Sequence, residues 1–153
     1  MLYWENRFSV KIDEIDNQHK QLFDVIRKIL NSLKSTEKNN AISEIIESLC
    51  NYVEIHFRTE EEYFDKFQYP EADEHIREHN AFRSRIKETK KQLEKGEIVL
   101  STQLLHFLAE WVIHHIESMD QKYAGYFAKQ NLLSSGSESK PKISVSLLSK
   151  LKS

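Results

Sequence analysis

Seven residues of metal-binding types lie in four separated stretches of this chain. They are His19, His56 with Glu60, His75 with His79, and His115 with Asp120. Imidazole suits iron, zinc, copper or nickel, and a carboxylate that bridges two ions adds hard oxygen ligands. Imidazoles and carboxylates brought together from four places therefore predict a dinuclear metal site, with iron as the favoured metal.

The spacing within two of these stretches indicates how the ligands are presented. His75 and His79 are four residues apart, so on an α-helix both imidazoles project from one face and can bind one ion. His56 and Glu60 repeat this spacing. Their helix would carry a carboxylate one turn beyond an imidazole, where it can bridge to a second ion.

The last pair of ligands does not fit a regular helix. His115 and Asp120 are five residues apart and would diverge by about 140° around the axis. A π-bulge would return both to one face, and such bulges are frequent at functional sites. We therefore predict one near residues 115 to 120. His114 would point about 100° away from His115, so it is placed outside the metal site, as is His106.

Coordination arithmetic indicates a site that can take up a small ligand. Two octahedral ions offer about twelve positions, of which five imidazoles, two bridging carboxylates and a shared oxo or hydroxo group fill about eleven. The one open position is what end-on binding of a diatomic such as dioxygen requires. Six more acidic residues are interpreted as solvated helix-face charges, with the alternative that one of them supports a ligand from behind. They are Asp16, Glu61, Glu62, Glu74, Glu78 and Glu117.

Four stretches with the apolar periodicity of helices must position these ligands. They span residues 16–33, 41–67, 71–95 and, from an N-cap at Ser101 or Thr102, up to residue 130. Asn39-Asn40, Tyr69-Pro70 and Gly96 separate them. Because the connections are short, we predict an all-α fold, a four-helix up-down-up-down bundle. In it, the early part of one helix faces the late part of the next, so the ligands converge near one end.

The two ends of the chain differ from this middle. Residues 2–15 read as an irregular N-terminal arm whose apolar residues lie over the bundle; these are Trp4, Phe8, Val10 and Ile12. Arm and bundle form one domain, residues 1–133. Residues 134–153 are rich in serine, with a glycine and a proline, which predicts a flexible linker and C-terminal tail. The alternative is that residues 143–151 dock on the bundle or on a protein partner.

Composition excludes several classes of partner. A net charge of -2 provides no basic field for nucleic acid or anionic lipid. The chain has no membrane-length apolar run and no signal-peptide core at its start. Cys50 is the single cysteine and cannot form an internal disulfide, which favours a reducing, cytoplasmic location.

At the ligand positions the chain resembles the hemerythrins, particularly the bacterial single-domain hemerythrins (bacteriohemerythrins). The matching segments are residues 9–23, 56–61, 75–79 and 111–123. The resemblance covers residues 3–131, and all seven ligand positions of the family match. It implies a four-helix bundle with two iron ions in an oxo- or hydroxo-bridged, non-haem centre. One iron would be held by His75, His79 and His115, the other by His19 and His56, with Glu60 and Asp120 bridging.

The resemblance also implies a function, reversible binding of dioxygen as a carrier, store or supplier rather than as an enzyme. Five apolar residues beside the ligands are predicted to form the oxygen pocket, although packing of the bundle core explains them equally well; they are Leu22, Phe57, Trp111, Val112 and Ile116. An oxygen or redox sensor that signals through a partner is one alternative. A di-iron enzyme acting on nitric oxide or peroxide is another, but the Glu-x-x-His motifs of ferritin-like oxidases do not occur here.

Overall fold

The computed structural model describes residues 3–32, 39–97 and 102–133. Its helices are α1 (Asp13–Ser32), α2 (Asn39–Lys66), α3 (Ala72–Glu94), α4 (Thr102–His115) and α5 (Gln121–Lys129). A π-helical turn, Ile116–Asp120, joins α4 to α5, and a 3-10 turn, Asn6–Phe8, lies in the N-terminal arm. The predicted all-α, four-helix bundle is confirmed, with α4, the π turn and α5 forming the fourth rod. The predicted linker and tail, residues 134–153, lie outside the described residues.

Neighbouring helices pack against one another in the order expected for an up-and-down bundle. Helix α1 packs against α2 and α4, and α2 packs against α3. Helices α3 and α4 meet where the rings of Phe82 and Trp111 stack at 3.8 Å. Asn39 and Asn40, predicted as a break, are instead the first residues of α2, because asparagine is well tolerated at a helix N-terminus. Across the described ranges, no helix combines the length and apolarity needed to cross a membrane.

Three of the helices end in the same backbone motif. The second residue past each helix end has a positive φ: Gln68 (49°), Gly96 (72°) and Asn131 (53°). After α2, the Tyr69 amide donates to the Phe64 carbonyl at 2.9 Å, and equivalent bonds close α3 and α5. These are Schellman motifs, which satisfy carbonyls that a helix end leaves without partners.

Two glycines, one past the end of α3 and one within α5, predict stability changes of opposite sign. Gly96 has φ 72°, so Gly96→Ala should lower the free energy of unfolding by about 1–2 kcal/mol. Gly125 lies within α5 with open space around its Cα, so Gly125→Ala should raise it by about 0.5–1 kcal/mol. Urea unfolding of both metal-free variants measures the difference. Equal effects of the same sign would contradict this account.

The N-terminal arm is fastened to the start of α1. The Asp16 carboxylate accepts hydrogen bonds from the Ser9 hydroxyl at 2.6 Å and the Val10 amide at 2.8 Å. Phe8, Val10 and Ile12 are buried, and Trp4 packs beside Phe8. The predicted arm over the bundle is therefore confirmed.

Two apolar clusters fill the bundle, one on each side of the predicted ligands. The pocket-side core consists of Phe8, Leu22, Phe23, Val25, Ile26, Ile29, Ile46, Leu49, Val53, Phe57, Phe82, Ile86, Leu108, Ala109, Val112 and Ile116. The arm-side core consists of Val10, Ile12, Ile15, Tyr63, Phe64, Tyr69, Tyr123 and Phe127. Phe57 stacks on His79 from one side at 3.8 Å, and Phe64 contacts His75 from the other at 4.7 Å. His75 and His79 therefore occupy a polar layer between two apolar ones.

Candidate metal centre

All seven predicted ligands meet in the layer between the two cores. Each is at most 3% exposed. Helix α1 supplies His19, helix α2 supplies His56 and Glu60, and helix α3 supplies His75 and His79; His115 ends α4, and Asp120 ends the π turn. The antiparallel arrangement brings the start of α1 and α3 beside the end of α2, as the positions in sequence predict.

One group of ligand atoms comes from three histidines and Glu60. The Nε2 atoms of His75 and His115 lie 3.0 Å apart. The Nε2 atom of His79 lies 3.0 Å from Glu60 Oε2. The four residues offer ligand atoms within 4.8 Å of one another, which is close enough for one ion to bind them together.

A second group lies next to the first and shares a carboxylate with it. His19 Nε2 is 3.2 Å from His56 Nε2, and Glu60 and Asp120 complete the group. Asp120 presents Oδ2 to His19 at 3.1 Å and Oδ1 to His75 at 3.2 Å. Glu60 Oε2 is 3.6 Å from both His56 and His75. Both carboxylates thus lie between the two groups.

The π turn makes the contribution of Asp120 possible. It spans Ile116–Asp120, which confirms the predicted bulge. A π turn widens the helix so that residues five apart return to one face. As a result, Asp120 Oδ1 lies 3.2 Å from His115 Nε2, although a regular α-helix would separate them.

The polar atoms at the centre are suited to cations. Glu60 Oε2, His79 Nε2 and both carboxylate oxygens of Asp120 are buried and have no hydrogen-bond partner among the described residues. Burying such atoms without partners is costly, and two negative charges side by side add to that cost. Cations bound by these lone pairs would remove both penalties. The donor set therefore fits a pair of transition-metal ions.

Metal binding requires ionised carboxylates and neutral imidazoles. Burial acts to lower the pKa of His75, but Asp120 and Glu60 outweigh it and raise that pKa to about 9, so this ring must release a proton when an ion binds. The carboxylates and His56 need no such change. Burial and Asp120 act to raise the pKa of Glu60, but the surrounding imidazoles, with hydrogen bonds from His75 and His79, outweigh them and hold that pKa well below its usual value. Burial likewise acts to raise the pKa of Asp120, but His115, His19 and His75 outweigh it and hold that pKa well below its usual value. Burial lowers the pKa of His56 to about 3, so its ring is neutral.

Gln18 orients His56 through a chain of hydrogen bonds. The Thr59 hydroxyl donates to the Ile55 carbonyl at 2.9 Å, so it accepts the bond from Gln18 Nε2, also at 2.9 Å. Because the Gln18 Nε2 atom points to Thr59, the Gln18 Oε1 atom points to His56 Nδ1, at 3.3 Å. The ring proton of His56 therefore sits on Nδ1, and Nε2 keeps its lone pair for a metal.

Two further side chains contact the predicted ligands. Tyr123 donates from its hydroxyl to Glu60 Oε1 at 2.6 Å, and Glu61 Oε1 accepts from His79 Nδ1 at 2.9 Å. Neither Tyr123 nor Gln18 was predicted. The spacing of Tyr123, three residues after Asp120 and so on its face of the helix, is the signal that could have revealed it.

Two histidines and six acidic residues were predicted to lie outside the ligand set, and the structure places them in different environments. His106 and His114 are exposed and outside both groups. Four of the six extra acidic residues are exposed as interpreted: Glu62, Glu74, Glu78 and Glu117. The interpretation as solvated charges is wrong for Asp16, which fastens the arm, and for Glu61, which supports a ligand as the alternative allowed.

A small cavity adjoins the ligands on the pocket side. Its lining consists of Leu22, Val53, His56, Phe57, Phe82, Trp111, Val112, His115 and Ile116. All five predicted pocket residues are among them. The cavity leaves about 10 Å³ for the centre of a water-sized sphere, which is the lower limit for holding one water molecule. It touches a histidine of each group, His56 and His115.

The comparisons with known proteins agree with this geometry. Residues 10–127 match the family model of the hemerythrin HHE cation-binding domain. The chain is 31% identical to a bacteriohemerythrin of Clostridium acetobutylicum over 80% of its own length and 98% of that protein. It is 30% identical to a myohemerythrin of Theromyzon tessulatum, over 80% and 90% of the two chains. A crystal structure of wild-type hemerythrin superposes with a TM-score of 0.77 at 25% identity, covering 82% of this chain and 95% of that one. The chain belongs to the hemerythrin family.

Proposed function

We propose that this protein binds dioxygen reversibly at a di-iron centre, as a carrier, store or local supplier of oxygen rather than as an enzyme. The observation that carries the proposal is the small apolar cavity that contacts a histidine of each ligand group. Its apolar lining suits an uncharged diatomic molecule, and its position suits a ligand that binds an ion directly.

In this proposal the ligand atoms divide between two irons. His75, His79 and His115 would hold one iron, and His19 and His56 the other. Glu60 and Asp120 would bridge them, which is supported by the way Asp120 presents one oxygen to each group. When bound, the iron pair supplies the electrons that make uptake and release of dioxygen possible.

The protein's own residues would control access and charge at the site. Leu22, Phe57, Trp111, Val112 and Ile116 would form the oxygen pocket and exclude water and anions. Tyr123 holds Glu60 in place through a buried 2.6 Å hydrogen bond. Its own pKa is raised by burial and by Glu60, so the hydroxyl keeps its proton and remains a donor.

The setting of this function is part of the proposal. We place the oxygen-binding domain at residues 1–133, with residues 134–153 as an appended linker and tail. A reducing compartment, the cytoplasm, is supported by a single cysteine, Cys50, that is free. The proposed ligand is dioxygen, and neither nucleic acid nor a membrane is part of the proposed function.

Anaerobic reconstitution tests the proposal. Apo-protein is loaded with ferrous iron, metal content is measured, and optical spectra are recorded over cycles of oxygen and vacuum. We expect two irons per chain and an absorption band that appears with oxygen and disappears under vacuum. A band that never reverses, or repeated turnover with release of a product, would contradict reversible binding and favour an enzyme.

A further inference from the structure

A network of charged side chains on helices α2 and α3 runs from the surface to the metal ligand His79. Glu61 Oε1 accepts from His79 Nδ1 at 2.9 Å and from an Arg83 guanidinium nitrogen at 2.8 Å. Arg83 also donates to Glu54 at 2.8 Å and to Asn80 at 3.0 Å. The carboxylate behind His79 is therefore held in place by contacts on two sides.

The network decides which nitrogen of His79 carries the proton. A carboxylate accepts hydrogen bonds and cannot donate them when ionised. The Nδ1 atom must therefore carry the ring proton, leaving the Nε2 lone pair to face Glu60 Oε2 at 3.0 Å. A carboxylate that accepts this proton also increases the electron density that the imidazole can donate to a metal.

The other ligand group has a different support. Behind His56 the acceptor is the neutral amide of Gln18, at the longer distance of 3.3 Å. An amide oxygen accepts a hydrogen bond but carries no charge, and charge-assisted bonds are roughly twice as strong as neutral ones. The two groups therefore differ in the charge behind a histidine as well as in the number of histidines.

We propose that Glu61, held by Arg83, is a positioning residue that makes the three-histidine ion the more strongly electron-donated of the two. This inference rests on the proposed iron pair. Extra donation stabilises an ion in its more positive oxidation state, so Glu61 lowers the reduction potential of that ion. The amide of Gln18 gives the two-histidine ion no equivalent stabilisation.

A purely structural role is the competing explanation for Glu61. Its ion pair with Arg83 joins α2 to α3, and both side chains are 24% exposed. A partly buried pair that solvent still reaches contributes modestly to stability. The two explanations differ in what they predict. An ion pair that only joins α2 to α3 changes the free energy of unfolding, whereas electron donation through His79 changes the affinity and reduction potential of the bound metal.

The test compares Glu61→Gln with Glu62→Gln. Both remove one negative charge from neighbouring residues of α2, but Glu62 is exposed. Glu61→Gln keeps an oxygen that can accept from His79, so its fold should be retained. We expect chelator competition to show iron affinity lowered by about 10- to 100-fold, and redox titration to show a higher reduction potential. Glu62→Gln should match the unmodified protein in both measurements.

The mirror substitution Gln18→Glu completes the experiment. A carboxylate behind His56 should lower the reduction potential, the opposite direction to Glu61→Gln. Unchanged potential and iron affinity in Glu61→Gln, or equal changes in Glu62→Gln, would overturn the inference. Both readouts use iron without oxygen, so failure of reversible oxygen binding would appear separately, in the vacuum cycles alone.

Discussion

His115→Ala is expected to remove the iron of the three-histidine group and with it reversible oxygen binding. The Nε2 atom of His115 lies 3.0 Å from that of His75 and 3.2 Å from Asp120 Oδ1. Loss of a hydrogen-bond partner behind a ligand typically lowers metal affinity by about 10- to 100-fold, and loss of the ligand itself should exceed that. Iron content should fall from two per chain to one or fewer. Metal analysis after gel filtration measures this.

The neighbouring residue provides a matched control. His114 is exposed and belongs to neither ligand group, so His114→Ala should retain two irons and the reversible band. His115 also stacks on Trp111, with ring centroids 4.5 Å apart, and the alanine variant leaves space there. His115→Gln fills more of that space, and circular dichroism of each apo-protein reports its fold. Full iron loading of a folded His115→Gln variant and of His115→Ala would refute the ligand assignment.

Leu22→Phe is expected to weaken oxygen binding without removing iron. Leu22 lines the small cavity beside His56 and His115, and the larger ring would occupy the space that dioxygen needs. Displacing an overpacked side chain costs about 1–3 kcal/mol. Because about 1.4 kcal/mol corresponds to a factor of ten, the oxygen affinity should fall by about 10- to 100-fold. Oxygen titration of the reconstituted ferrous protein measures the affinity.

The same substitution elsewhere in the core separates blockage from general strain. Leu49 is as deeply buried as Leu22 in the pocket-side core but does not line the cavity. Leu49→Phe should therefore lower the free energy of unfolding by a similar amount and leave oxygen affinity near that of the unmodified protein. Equal losses of affinity in both variants would show that the cavity is not where oxygen binds.

Much of the candidate metal centre could be predicted because the relative directions of side chains within one helix depend only on their spacing in the sequence. Four-residue spacing places His75 and His79 on one face wherever the helix lies. The five-residue spacing of His115 and Asp120 predicts the π turn in the same way, since a regular helix would separate two groups of matching chemistry. The four apolar periodicities predict the rods, and their short connections predict the directions in which they run.

Other features depend on how the helices are oriented and packed against one another, which no local sequence pattern specifies. Glu61 and Glu62 are adjacent and chemically alike, yet Glu61 meets His79 and Arg83 on α3 while Glu62 faces solvent. Gln18 reaches His56 because α1 and α2 pack closely at that level. The small cavity is likewise set by side chains of all four rods.

The amino-acid sequence by itself determined the types and spacing of the proposed ligands and the bundle that carries them. Only the tertiary structure decided which groups stand behind His56 and His79, and how much room remains beside the ligands. The reason is physical: bonds within a helix fix relative directions along one rod, whereas distances between rods follow from packing of the whole core.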